Sequence, residues 1–214
     1  MKKNENGRSM VEMLGVLAII GVLSAGALAG YSKAMTQHKL NKNAEEIGYL
    51  LSVAIYNNDK LKNASSNMYA ELNALGAYTW PTELKGNPQE GYYILDTLQN
   101  KIGFEHYAHG GTAIRIALPS SDFAVKVCAN YINVFKSFAD DLDMVYVSNF
   151  NLTEGTSSHI RFAGKGCTTG KCLKDITNAD IVPLCTTHCV NAEYCILYAL
   201  WGYPASTVAN LLGQ

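Results

Sequence analysis

Met13–Ser32 reads MLGVLAIIGVLSAGALAGYS, twenty residues without a charged side chain. A helix rises ~1.5 Å per residue, so this stretch spans ~30 Å, about the hydrocarbon thickness of a bilayer. Upstream lie the polar Met1–Gly7, with Lys2 and Lys3, and then Arg8, Ser9, Met10, Val11 and Glu12. Lys33 and Lys39 resume the polar pattern downstream. Three roles fit such a stretch. It could be a secretory signal cut near Ala25, Ala27, Ala29 or Gly30, or a plain membrane anchor. The third is a retained helix, with the chain cut after Gly7 and Arg8 as the new amino terminus. Glu12 separates them. A carboxylate in an apolar helix costs on the order of 2.5–3.5 kcal/mol at its centre and less at its edge, unless a partner neutralises it. Neither a signal nor an anchor gains from that cost. A polymer of parallel helices does, because the amine freed by a cut after Gly7 can pair with Glu12 of a neighbouring chain.

The helical pattern does not stop at the bilayer edge. Leu40, Ala44, Ile47, Leu51, Ala54 and Ile55 recur at three- and four-residue spacing, and Lys39, Lys42, Asn43, Glu45 and Glu46 mostly fall on other faces. Asn57, Asn58 and Asp59 break it, since such side chains favour turn hydrogen bonds. One helix from Met10 to Asn57 would be ~70 Å long. A domain of this size cannot bury it along its whole length, so half must find a membrane or a filament core.

The rest of the 214 residues is ordinary globular material. Over the whole chain hydrophobic residues make up 48% and charged ones 16%, which excludes a disordered chain. With 17 Lys+Arg against 18 Asp+Glu, no face is basic throughout, so gripping nucleic acid is not its main task. After a polar loop at Asn63–Ser66, Met68, Leu72 and Leu75 predict a short helix stopped at Gly76. An irregular stretch runs from Trp80-Pro81 through Gly86, Pro88 and Gly91. Strands are predicted at Tyr92–Leu95, Thr112–Leu118, Phe123–Val127, Met144–Val147 and His159–Ala163, with an amphipathic helix at Cys128–Ala139. The fold class is therefore α+β: a long amino-terminal helix packed on an antiparallel sheet.

Gly7, four residues, Glu12, a basic leader before and about twenty apolar residues after: this pattern resembles the prepilin signal of type IV pilins and type II secretion pseudopilins. The resemblance is specific over Gly7–Tyr31, and the order of elements in the head is similar to the larger type IVb pilins. It implies a leader at residues 1–7, a helix at 8–57 that is apolar over 13–31, and a pilin head at 58–214. It implies cleavage between Gly7 and Arg8 by a prepilin peptidase, N-methylation of Arg8, and assembly guided by Glu12. Arg8 departs from the apolar residue usual at the start of the mature chain. The implied partners are other copies of the chain, other pilins and an inner-membrane assembly machinery. The implied sites are the inner membrane before assembly and an extracellular pilus, or fimbrium, after it. Gly26 and Gly30 form a G-x-x-x-G pair that lets helices approach closely in lipid. A secreted or anchored binding domain, such as an adhesin that never polymerises, is the alternative. No motif assigns a nucleic acid to either.

Six cysteines, Cys128, Cys167, Cys172, Cys185, Cys189 and Cys195, allow up to three bridges in fifteen connectivities if the head is outside the cytoplasm. They would make the 167–195 region a stapled carboxyl-terminal end. The family resemblance implies one bridge from that region to the sheet, with Cys128 its partner in the body of the head. Closing a loop of fifteen residues or more stabilises by roughly 3 kcal/mol in the chain-entropy model. Zinc on Cys172, Cys185, His188 and Cys189 is the metal alternative, but no C-x-x-C supports it and the expected metal is none. No cofactor is expected. No Walker loop, G-x-G-x-x-G, H-E-x-x-H or G-x-S-x-G occurs, and the expectation is a non-enzyme. His106 and His109 beside Gly110-Gly111, and Asp140, Asp141 and Asp143, read as exposed loops and turns. The thirteen tyrosines are expected in the sheet and at subunit contacts.

Overall fold

The computed structural model describes residues 6–64, 68–78, 80–87, 91–106, 111–150, 158–190, 193–204, 208–209 and 212. The predicted leader falls mostly outside them. Helix α1, Asn6–Tyr56, runs unbroken for 51 residues. It ends where the asparagines begin, and the Asn57 side-chain Nδ2 donates to the Val53 carbonyl at 2.9 Å. The chain then makes one short further helix, α2 (Asn58–Asn63), in place of an immediate loop. Helix α3, Met68–Ala74, stops at Gly76, whose φ of +64° suits a residue without a Cβ.

Seven antiparallel strands form one sheet: β1 (Lys85–Asn87), β2 (Gly91–Leu95), β3 (Lys101–His106), β4 (Thr112–Pro119), β5 (Met144–Phe150), β6 (His159–Ala163) and β7 (Tyr194–Trp201). Their order is β1-β2-β3-β4-β7-β5-β6. Strand β7 therefore fills the gap between β4 and β5, pairing Ile114 with Ala199 on one side and Val145 with Ala199 on the other. As the alternation predicts, Thr112, Ile114, Ile116 and Leu118 are all buried.

Helix α4, Asp122–Ser137, corrects the predicted strand at Phe123–Val127. Ser121 caps it, accepting from the Ala124 amide at 3.0 Å. Ala124, Val127, Cys128, Tyr131, Ile132 and Phe135 then fall on one buried face at helical spacing. Helix α5, Asn178–Cys189, was not predicted; it starts with a capping box of Thr177 and Asp180 and tolerates Pro183 inside. Strands β1, β3 and β7 were not predicted either.

Two compact units divide the chain inside α1: Met1–Asn41 and Lys42–Gln214. The second is the head, and it includes the last turns of α1. There Ile47, Leu50, Leu51 and Ala54 are wholly buried, and Gly48 faces Val134 of α4. Asn43, expected on the polar face, is buried as well.

Three disulfides staple the head. Cys128–Cys185 joins α4 to α5, so Cys128 clamps the carboxyl-terminal region to a helix, not to a strand. Cys189–Cys195 carries the chain from α5 into the central strand β7, and Cys167–Cys172 closes a small loop after β6. These pairs divide the zinc alternative's three cysteines among three bridges, which removes that ligand set.

Candidate functional site

Within the first unit, α1 presents exposed apolar side chains. Leu17, Val22 and Leu28 are 61%, 74% and 69% exposed, and Leu14, Ile19, Ile20 and Leu23 are exposed as well. The most apolar 18-residue window has a mean hydropathy of 2.2 and no buried residue. In water each such side chain would forgo about 1.5–3 kcal/mol of burial, so the segment requires lipid or protein around it. It is long and apolar enough to cross a membrane. Gly7 and Arg8 lie in the first turns of this helix, and Glu12 is exposed on it. A Cβ added at Gly26 or Gly30 would meet nothing within 4 Å.

The head half of α1 is held differently, by a buried carboxylate. Asp96, in the turn between β2 and β3, is 1% exposed. Its Oδ2 accepts from Asn43 Nδ2 at 3.1 Å, from Asn100 Nδ2 at 2.8 Å and from the Tyr131 hydroxyl. Its Oδ1 accepts from the amides of Leu98 and Asn100, both at 2.8 Å. Five donors around one carboxylate make the loss of water tolerable. They also tie α1, the β2–β3 turn and α4 to one point. Burial, and then the Asp96 charge, hold the Tyr131 hydroxyl well above the ordinary phenol value, so it stays a donor. At the rim, Thr97 donates to Glu46 at 2.7 Å.

Other tyrosines build the sheet. Tyr69 donates to the Tyr92 carbonyl at 2.5 Å and accepts from the Phe104 amide at 3.0 Å; burial pushes its pKa up to about 12. Tyr146 and Tyr198 stack across β5 and β7 with centroids 4.3 Å apart. Gly111 lies against the Tyr203 ring, where a Cβ would collide, which gives half of the Gly-Gly pair a packing purpose. His106 ends strand β3, and His109 lies outside the described residues. Asp140 and Asp141 sit in a turn, and Asp143 Oδ2 accepts from the Tyr203 amide at 2.7 Å. The structure does not bring the histidines and aspartates singled out in the sequence together among the described residues.

No protein-family model, no curated protein and no solved structure matches the chain.

The Asp96 clasp was missed in the sequence. An aspartate followed by Thr, Leu, Gln and Asn looks like a solvated turn, and its partner Asn43 is 53 residues away. The one available signal was Asn43 itself. It falls four residues before Ile47 and seven before Leu50, on the apolar face of the helix.

Proposed function

We propose that this chain is a structural subunit of a type IV pilus-like filament, not an enzyme, cut after Gly7 and polymerised through the apolar part of its first helix. One observation carries the reading: a continuous helix is anchored over its last turns in a disulfide-stapled head, yet bare over a membrane-length apolar stretch. An anchor explains the apolar stretch; it does not explain Glu12 at the mouth of it. A prepilin peptidase would free the Arg8 amine, with or without N-methylation, and that amine would pair with Glu12 of a neighbour. The subunit would wait in the inner membrane, bound to the assembly machinery, and then enter an extracellular helical polymer by head-to-tail contacts. Close helix packing at Gly26 and Gly30 would be between chains.

The test is the amino-terminal residue of the mature protein, read by mass spectrometry, followed by Glu12→Val. A start at Arg8, with a folded, membrane-bound Glu12→Val subunit that fails to form filaments, supports the reading. A start between Gly26 and Tyr31, an intact Met1, or full filament yield from the variant defeats it. An intact Met1 with binding activity in the head would be the anchored adhesin.

A further inference from the structure

The two bridges around α5 are neighbours. The Sγ atoms of Cys128, Cys189 and Cys195 all lie within 4.8 Å of one another, and Cys128 is bonded to Cys185. Four sulfurs from α4, α5 and β7 thus share one fully buried spot. Cys185 and Cys189 stand one turn apart on the same face of α5, which aims both at that spot. Cys167–Cys172, by contrast, closes a five-residue separation in a loop of its own. Here one sulfur, Cys128, has its bonded partner and both sulfurs of the second bridge within the same small volume.

We propose that Cys128, Cys185, Cys189 and Cys195 form an internal thiol–disulfide exchange centre, in which Cys128 can trade Cys185 for Cys189 or Cys195. The inference does not depend on the filament reading. Exchange needs a thiolate, a disulfide sulfur in reach, and a path between them. In a head with one of these two bridges still open, a thiol and a disulfide sulfur lie within reach of each other inside the fold, and deprotonation supplies the thiolate. The Cys128 thiol loses its proton, and its thiolate attacks Sγ of Cys195. The Cys128–Cys195 bond forms as Cys189–Cys195 breaks, and the electron pair leaves on Cys189, which takes up a proton. Attack on Cys189 releases Cys195 in the same way. The number of bridges is unchanged, so no oxidant or reductant is consumed. Because the sulfurs are buried, no outside thiol has to enter. The device lets α4, α5 and β7 correct an early mispairing without unfolding, provided that one of the two bridges is still open.

The test uses the full chain, purified in detergent, with Cys185→Ser. That leaves the Cys128 thiol beside an intact Cys189–Cys195 bridge. Samples held at a series of pH values are quenched with acid, alkylated, and mapped by mass spectrometry. The expected result is Cys128 bridged to Cys189 or Cys195 within single chains. Its rate of appearance should rise about tenfold per pH unit below the thiol pKa, as the thiolate fraction does. The reverse arrangement is Cys189→Ser, which leaves the Cys195 thiol beside Cys128–Cys185. It should yield Cys128–Cys195 and a free Cys185, so the inference survives if only one variant folds. Cys128 recovered wholly as a free thiol in the first variant, with an intact Cys128–Cys185 bridge in the second, overturns the proposal. So do mixed bridges found only between chains, or scrambling that draws in Cys167 and Cys172 equally, because either shows chemistry outside the folded cluster.

Discussion

The two halves of helix α1 have the same backbone and opposite circumstances. Over the head half, Ile47, Leu50, Leu51 and Ala54 are wholly buried and Asn43 is bonded into the Asp96 clasp. Over the first half, Leu14, Leu17, Val22, Leu23 and Leu28 are bare. The head half shows a helix face answered by its own chain. The other half shows a face that is long and apolar enough to cross a membrane and is exposed along its length. Apolar content does not distinguish them, since both are rich in Leu, Ile and Ala; what does is the polar residues between. The head half carries Lys42, Asn43, Glu45 and Glu46, and the first half from Met13 to Ser32 carries no charge at all.

That contrast can be broken by matched truncations. Leu50→Ala should cost the head about 2–5 kcal/mol, because the cavity it leaves is closed on all sides. Leu17→Ala should move head stability by less than about 0.5 kcal/mol. Both are read by denaturant unfolding in detergent, followed through the buried Trp201. Equal effects would mean that the first half is covered after all. Of comparable size, Asp96→Ala strands the side chains of Asn43, Asn100 and Tyr131 without water and should cost about 3 kcal/mol or more. Asp96→Asn keeps the shape and part of the bonding and should cost less. If the clasp holds α1 to the head, amide exchange in Lys42–Tyr56 should accelerate in Asp96→Ala while exchange in β5 and β6 changes less. Ser121→Ala removes one helix cap remote from α1 and should cost about 1 kcal/mol, giving the scale of an ordinary local loss.

The smallest effect is one of pH. Burial raises the Asp143 carboxyl above its ordinary 3.8, so its folded form holds a proton more readily than its unfolded form. Stability from this group therefore falls as pH rises from 3.8 through the raised value, and is recovered on acidification. Asp180 runs the other way. The Thr177 hydroxyl and amide hold its carboxylate below 3.8, so its contribution is present above that value and is lost as pH falls through the lowered one. Asp143→Asn should flatten the first limb and leave the second, as followed by thermal melts across acidic pH.

How much of this was legible follows from what each element needs. The first helix was, because twenty uncharged residues admit few structures. Strand β4 was, because its face alternates against the inner layer. Strand β7 was not: Tyr194–Trp201 pairs on both sides and is partly or wholly buried throughout, so ILYALW shows apolar continuity with no alternation to read. The start of α4 was read as a strand because Phe123, Val125 and Val127 are strand-prone residues spaced by two. Burial at Ala124, Val127, Cys128 and Tyr131 settles the period as helical, and Ser121 was the overlooked start signal. In α5, Pro183 hid a helix whose Thr177–Asp180 capping box was readable. Of the candidate site, the exposed apolar helix was visible in the sequence. The clasp was not, since a pairing across 53 residues leaves no local pattern.

The strand order has one more consequence. Strand β7 is the last of the seven in the chain and lies between β4 and β5, so the sheet stays in two pieces until residues 194–201 arrive. A ribosome or a translocation channel releasing this chain from its amino end would deliver β1–β4 and β5–β6 early, each with an unpaired edge. The head then closes late and all at once, by pairings of large sequence separation, which are the slow kind. Premature termination between Phe150 and Tyr194 would leave β4 and β5 with open edges, in place of a shortened but serviceable head.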